Sequence, residues 1–129
     1  MATRRTTTPR SALRLRATIR SMRSDDLAHV IALDARVFGA ERRAYFERRL
    51  ASLGEHDAAS QTLGLIAEEG GGIVGFVMGT LTSGEFGFAE VTALIDSIAV
   101  APGRQRHGVG RLLADALVAE SAARGARRG

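Results

Sequence analysis

The stretch DSIAVAPGRQRHGVGRLLADAL, Asp96 to Leu117, carries an apolar strand through a turn of glycine and arginine into a helix. The strand side, Val91–Val100, is almost continuously apolar, as suits a central strand covered on both faces. Ala101, Pro102 and Gly103 stop it. Val109, Leu112, Leu113, Ala116 and Leu117 then recur at helical spacing, which predicts a helix from about Gly108 that Gly125 closes. The first turn of a helix has N–H groups without intrahelical acceptors, at the positive end of the macrodipole. Gly108 and Gly110 let an anion approach the backbone, and Arg104, Arg106 and Arg111 add charge. These residues predict a phosphate or pyrophosphate ligand at Gln105–Arg111. They are equally consistent with a plain helix start at which glycine relieves crowding against a sheet. No Gly-Lys-Ser/Thr follows, so this is not a Walker A loop.

Upstream, Thr62–Glu68 and Ile73–Leu81 are apolar runs on either side of Glu69-Gly70-Gly71-Gly72, the pattern of a hairpin. Gly70 to Gly75 also fits G-x-G-x-x-G, but these glycines lead into β-branched residues rather than a helix, so a dinucleotide fingerprint is rejected. Ser83–Glu90 connects the hairpin to the buried strand. Before the hairpin, Ser24 is expected to cap a helix over Asp25–Phe38, with Asp25 and Asp26 in its first turn and Gly39 after its end. A second helix is expected over about Glu41–Leu53, with Phe46, Leu50 and Leu53 as its stripe. Arg42, Arg43, Arg48 and Arg49 are expected on its solvated face beside Glu47. Ala17–Met22 alternates weakly and predicts a first short strand. The resulting fold class is α/β (α+β): a mostly antiparallel sheet flanked by helices.

The chain has 129 residues, enough for one domain, with 45% hydrophobic and 25% charged residues, the balance of a globular protein. No apolar run approaches a membrane-spanning length. There is no cysteine, which excludes a disulfide framework, a thiolate metal site and a cysteine nucleophile. His29, His56 and His107 do not pair at i, i+4, so no metal is expected. The net charge of +4 is uneven: residues 1–24 hold seven arginines and no acid. All 18 cations are arginine, with 22 alanines and no lysine or asparagine. That bias points to a GC-rich, bacterial genome rather than to nucleic-acid or membrane binding. Residues 1–16 read as a flexible basic extension and 17–129 as the domain. A transit peptide or a nucleic-acid-binding arm are the other readings of the extension. A cytoplasmic location is expected.

Gln105-Arg106-His107-Gly108-Val109-Gly110 matches the Q/R-x-x-G-x-G/A signature of the GCN5-related N-acetyltransferase (GNAT) family. The preceding IAVAPGRQ resembles that family's fourth strand and its exit. The resemblance is specific over about Leu94–Leu117 and extends in element order from Ala17 to Gly125. It implies acetyl transfer from acetyl-CoA, used as cosubstrate, to an amine. By that match, backbone amides of Arg106, His107, Gly108, Val109, Gly110 and Arg111, in the loop that Gln105 opens, would hold the CoA pyrophosphate. Ile98, Ala99 and Val100 would pair with the pantetheine arm, and an N–H of Ile98 or Val100 could polarise the thioester carbonyl. Val37–Tyr45, with Phe38, Glu41 and Tyr45, would shape the acceptor site.

The attacking amine must be neutral, which calls for a proton acceptor. Asp96 interrupts the apolar strand and, by the period of two, shares a face with Leu94, Ile98 and Val100. It reads either as a general base or as a structural acceptor bonded to backbone or paired with arginine. Glu90, at the strand entry, is the second candidate. His107 reads as part of the loop rather than as a base. The family normally continues with a fifth strand, a further helix and a terminal strand pair, whereas this chain stops at Gly129. The resemblance therefore implies a domain truncated after its CoA-binding helix, with an apolar strand edge open to self-association. A non-catalytic CoA- or phosphate-binding module and an inactive truncated product are the alternatives to an acetyltransferase.

Overall fold

Alternating apolar residues build four strands, and their two faces collect two separate cores. The computed structural model describes residues 17–53, 60–83, 91–105 and 107–128. In chain order they form β1 (Thr18–Ser21), a 3₁₀ turn (Ser24–Asp26), α1 (Leu27–Phe38), α2 (Arg43–Ala51), β2 (Ser60–Glu69), β3 (Gly72–Ser83), β4 (Val91–Val100), a second 3₁₀ turn (Pro102–Arg104) and α3 (Val109–Arg128). The sheet order is β1-β2-β3-β4, antiparallel throughout. This is the mostly antiparallel, helix-flanked fold expected from the sequence.

Gly70 and Gly71 have φ of 61° and 83°. Positive φ at both central residues is the two-residue turn whose twist matches the strands it joins, so the glycines make the hairpin and no nucleotide loop. One sheet face carries Phe76, Met78, Ile66 and Ala99, packed on Val30, Ile31 and Leu33 of α1 and Phe46 and Leu50 of α2. The other carries Leu63, Leu65, Ala67, Val77 and Leu81 under Val109, Leu113 and Leu117 of α3.

Four local expectations are corrected. Ser24 starts the 3₁₀ turn instead of capping it; Asp26 Oδ2 accepts the Arg23 N–H at 2.7 Å and closes that end. Arg49 does not lie on a solvated face, whereas Arg42 is exposed as expected but anchored at its guanidinium. Arg42 makes paired bonds of 2.8 and 2.9 Å to the fully buried Asp34 and lies over the rings of Phe38, Tyr45 and Phe46. Arg49 turns to the sheet. α3 runs through Gly125 to Arg128. A glycine inside a helix costs only about 1 kcal/mol, and the Glu120–Arg124 pair at 3.0 Å supports the preceding turn. Finally, β4 is not covered on both faces: Leu94 and Ile95 are exposed, and the strand pairs only with β3, forming the sheet edge among the described residues. The extension Met1–Arg16 and the connection Gly84–Glu90 lie outside the described residues.

Candidate functional site

Two glycines of β3 set where α3 begins. A Cβ at Gly75 would lie 3.0 Å from Leu113 Cδ1 and 3.2 Å from Val109 Cγ1; one at Gly79 would lie 2.8 Å from Leu117 Cδ2. The missing side chains seat α3 directly on β3, so its first turn falls beside the end of β4. There the Ala101 N–H donates to Val74 O at 2.8 Å, which makes Val74 and Ala101 a hydrogen-bonded pair at the end of the ladder. The register continues Gly75↔Val100, Phe76↔Ala99 and Val77↔Ile98. Antiparallel pairs alternate between bonded and non-bonded. The backbone groups of Ala99 therefore face Phe76, and those of Ile98 and Val100 face outward along the open edge. Gln105 Nε2 donates to the outward Val100 carbonyl at 3.0 Å.

Beyond Val100, the Arg104 N–H bonds Ala101 O at 2.7 Å and the His107 N–H bonds Arg104 O at 3.3 Å. Gly108 follows with φ of 88°, a conformation that favours glycine, and its carbonyl takes the Leu112 N–H at 3.0 Å. By helix geometry the N–H groups of Val109, Gly110 and Arg111 have no acceptor within α3. A Cβ at Gly110 would meet only Val100 Cγ2, at 3.6 Å, an ordinary contact. Crowding against the sheet therefore explains Gly75 and Gly79 but not Gly110. The charges are arranged differently from expectation. Arg104 turns away to Glu69, with a closest approach of 2.5 Å. Arg111 is 86% exposed, with Asp115 at 3.8 Å. The Nδ1 of His107 is buried and has no hydrogen bond among the described residues. Arg106 and Glu90 lie outside the described residues.

Asp96 occupies a β-bulge. Met78 pairs with Ser97 and Gly79 with Ile95, so Asp96 is the additional residue on β4. The bulge breaks the period of two, and Asp96 does not share the face of Ile98 and Val100. Its carboxylate turns to the α2 side, where Oδ2 accepts from Arg49 Nη2 at 2.5 Å and from the Thr80 hydroxyl at 2.7 Å. The Asp96 side chain keeps 21% exposure. Its Oδ1 makes no hydrogen bond among the described residues. One helical turn before Arg49, the Tyr45 hydroxyl lies 3.2 Å from Ser97 Oγ. Tyr45 and Arg49, at i and i+4 on α2, thus reach adjacent residues of the bulge. Asp34 raises the pKa of Arg42, chiefly through its hydrogen bonds, and holds that cation behind Tyr45.

Arg49, Thr80 and Ser97 were not among the sequence-based candidates. A signal existed: an isolated glycine inside a strand, Gly79, marks a bulge, and an aspartate in an apolar strand demands a polar partner. Among the described residues no group of three or more histidines or acids is placed to hold a metal, and no helix is long and apolar enough to cross a membrane.

The family model for the acetyltransferase (GNAT) family matches residues 19–128. No curated protein matches the chain. Among solved structures, the GCN5-related glucosamine N-acetyltransferase region of a fungal multi-domain GH3 β-N-acetylglucosaminidase is 27% identical, with a TM-score of 0.64 over 79% of this chain and 12% of that one. The ribosomal-protein-S18-alanine N-acetyltransferase from Escherichia coli is 25% identical, with a TM-score of 0.64 over 84% of this chain and 61% of that one. An aminoglycoside N-acetyltransferase in complex with CoA is 18% identical and shares the fold, with a TM-score of 0.68 over 84% of this chain and 71% of that one. The chain spans less than two thirds of the length of the first two.

Proposed function

This chain belongs to the acetyltransferase (GNAT) family, and we infer that it transfers the acetyl group of acetyl-CoA to a primary amine. The observation that carries this reading is the meeting of an open strand edge with an uncrowded helix start. Ile98 and Val100 offer outward backbone groups, Gly108 ends the loop that follows, and Gly110 lies in the first turn of α3. An extended amide chain suits the first, and a pyrophosphate suits the second. Gly110 leaves room that nothing in the fold requires.

Acetyl-CoA supplies an activated acyl group as a thioester. In our reading the amides of Gly108, Val109, Gly110 and Arg111 hold the pyrophosphate, with Arg106 contributing from the same loop; the His107 N–H, expected to join them, is held by Arg104 O instead. Gln105 keeps the loop closed on Val100. Ile98, Ala99 and Val100 form the strand for the pantetheine arm, with the N–H of Ile98 aimed along the edge, where it can stabilise negative charge developing on the carbonyl oxygen. The amine attacks directly, so the absence of cysteine is no obstacle. We assign Asp96 Oδ1 as acceptor of the amine proton, with Glu90 as the other candidate. Arg49 and Thr80 fix the Asp96 carboxylate through Oδ2. The Val37–Tyr45 segment borders the acceptor side, where Tyr45 touches Ser97.

The engagement of Asp96 by Arg49 favours a second reading, a CoA-binding module without transfer. Turnover separates the two. Purified protein is titrated calorimetrically with acetyl-CoA, then assayed for thiol release with an alanine-starting peptide, glucosamine, an aminoglycoside and simple amines. The chain has no cysteine, so every thiol detected is CoA. Binding with amine-dependent thiol release supports the transferase. Binding without release leaves the module, and no binding rejects both. The exposed Leu94 and Ile95 edge is our candidate for self-association, and a bacterial cytoplasm is the setting we propose.

A further inference from the structure

Glu69 ends β2 at the Gly70-Gly71 turn, far in sequence from the Gln105–Gly110 loop. Its carboxylate nevertheless reaches Arg104 Nη2 at 2.5 Å, with side-chain exposures of 16% and 27%. We propose that Glu69 is a positioning residue for CoA: its ion pair with Arg104 pins the anion-binding loop to the β2–β3 hairpin. The inference rests on the acetyl-CoA reading above.

The loop leaves the sheet after the Ala101–Val74 bond and rejoins regular structure where Leu112 bonds Gly108. Between these points two side chains tie it down among the described residues. Gln105 bonds Val100 O on β4, and Arg104 reaches the hairpin. The Arg104 backbone lies in the middle of the chain of bonds, since its N–H holds Ala101 O and its carbonyl takes the His107 N–H. A shift of Arg104 is therefore transmitted to His107, whose N–H it holds, and through it to Gly108, whose amide faces the ligand in that reading. The pair is held by charge more than by alignment. Arg104 Nε and Nη2 and Glu69 Oε1 are buried and make no aligned hydrogen bond among the described residues. Without Glu69 these N–H groups would be left dry and without a counter-charge, so the guanidinium would have to move.

Charge alone predicts the opposite effect. Removing a carboxylate near an anion site tightens anion binding. The sign of the change on Glu69→Gln therefore separates positioning from charge. Calorimetric titration with CoA, run well below the lowered melting temperature expected once Arg104 loses its counter-charge, is expected to show binding about tenfold weaker in Glu69→Gln. Arg104→Lys, which keeps the charge, is expected to fall between wild type and Glu69→Gln. The Glu69→Gln/Arg104→Gln double variant is expected to be no worse than the weaker single variant. Hydrogen exchange at the Arg104–His107 amides is expected to quicken in Glu69→Gln without any ligand. Tighter or unchanged CoA binding by Glu69→Gln overturns the proposal, as do fully additive losses in the double variant. If the wild type binds no CoA, the acetyl-CoA reading fails by itself. Exchange then still decides the pinning, and unchanged rates in Glu69→Gln overturn it.

Discussion

Gly79→Ala and Gly110→Ala are the same change at two glycines that the structure separates. A Cβ at Gly79 would lie 2.8 Å from Leu117 Cδ2 and 2.8 Å from the backbone oxygen of Leu94. The leucine methyl can turn aside, but the carbonyl belongs to β4 next to its bulge and cannot. Overpacking costs about 1–3 kcal/mol, and a backbone obstacle places this case in the upper part of that range. Restricting the unfolded chain returns roughly 0.4–1 kcal/mol. The expected net loss is about 2 kcal/mol, or roughly 6–10 °C in Tm for a domain of this size. At Gly110 the new methyl meets Val100 Cγ2 at 3.6 Å, and alanine is favoured over glycine inside a helix by up to about 1 kcal/mol. Gly110→Ala is expected to melt at or above the wild-type temperature. Thermal denaturation followed by circular dichroism measures both. A Gly79→Ala protein as stable as wild type, or a destabilised Gly110→Ala, would refute the division between glycines that the fold needs and a glycine that it does not.

Gly110→Glu should abolish acetyl-CoA binding while melting close to wild type, since its side chain enters ligand space with a like charge; undiminished calorimetric affinity would remove the phosphate assignment. Asp96→Asn should lower turnover on any accepted amine by about a hundredfold at unchanged acetyl-CoA affinity; rates within about twofold of wild type would leave Asp96 as an anchor for Arg49 alone. Asp26 is bonded to Arg20 at 2.8 and 2.9 Å, and that pairing, aided by the Arg23 N–H, lowers its pKa below the ordinary 3.8. The folded form thus holds its proton less tightly than the unfolded one. Its stabilisation is full above the ordinary value and is lost as pH falls through the lowered one. Asp26→Asn should cost about 2 kcal/mol near neutrality. The gap should close in acid, and a pH-independent difference in denaturant midpoints would contradict this.

The elements written in local chemistry were readable before any tertiary contact was known. β4 spans Val91–Val100 as its apolar run does, the paired glycines make the hairpin, and the helix start after Gly108 follows from glycine and the helical spacing of the apolar residues after it. Each depends on residues within a few positions, so periodicity and turn chemistry suffice. The loop half of the candidate site belongs to this class, being one contiguous segment. The bulge does not. Whether Asp96 shares a face with Ile98 or opposes it depends on the register of β4 against Gly79 and Met78, which are distant in sequence. An additional residue reverses every face beyond it, and a period of two read from one strand cannot detect that. Arg42, Arg49 and Arg104 are likewise indistinguishable in sequence from the solvated arginines around them. Their charges turn inward because Asp34, Asp96 and Glu69 come from other elements and would otherwise be partly or wholly buried without a counter-charge. The sequence by itself determined which segments are strand, helix and glycine-bearing turn, because those choices are made by neighbours along the chain. The tertiary structure alone decided which charges meet and which way the Asp96 carboxylate faces, because those depend on distant segments whose packing fixes register and burial together.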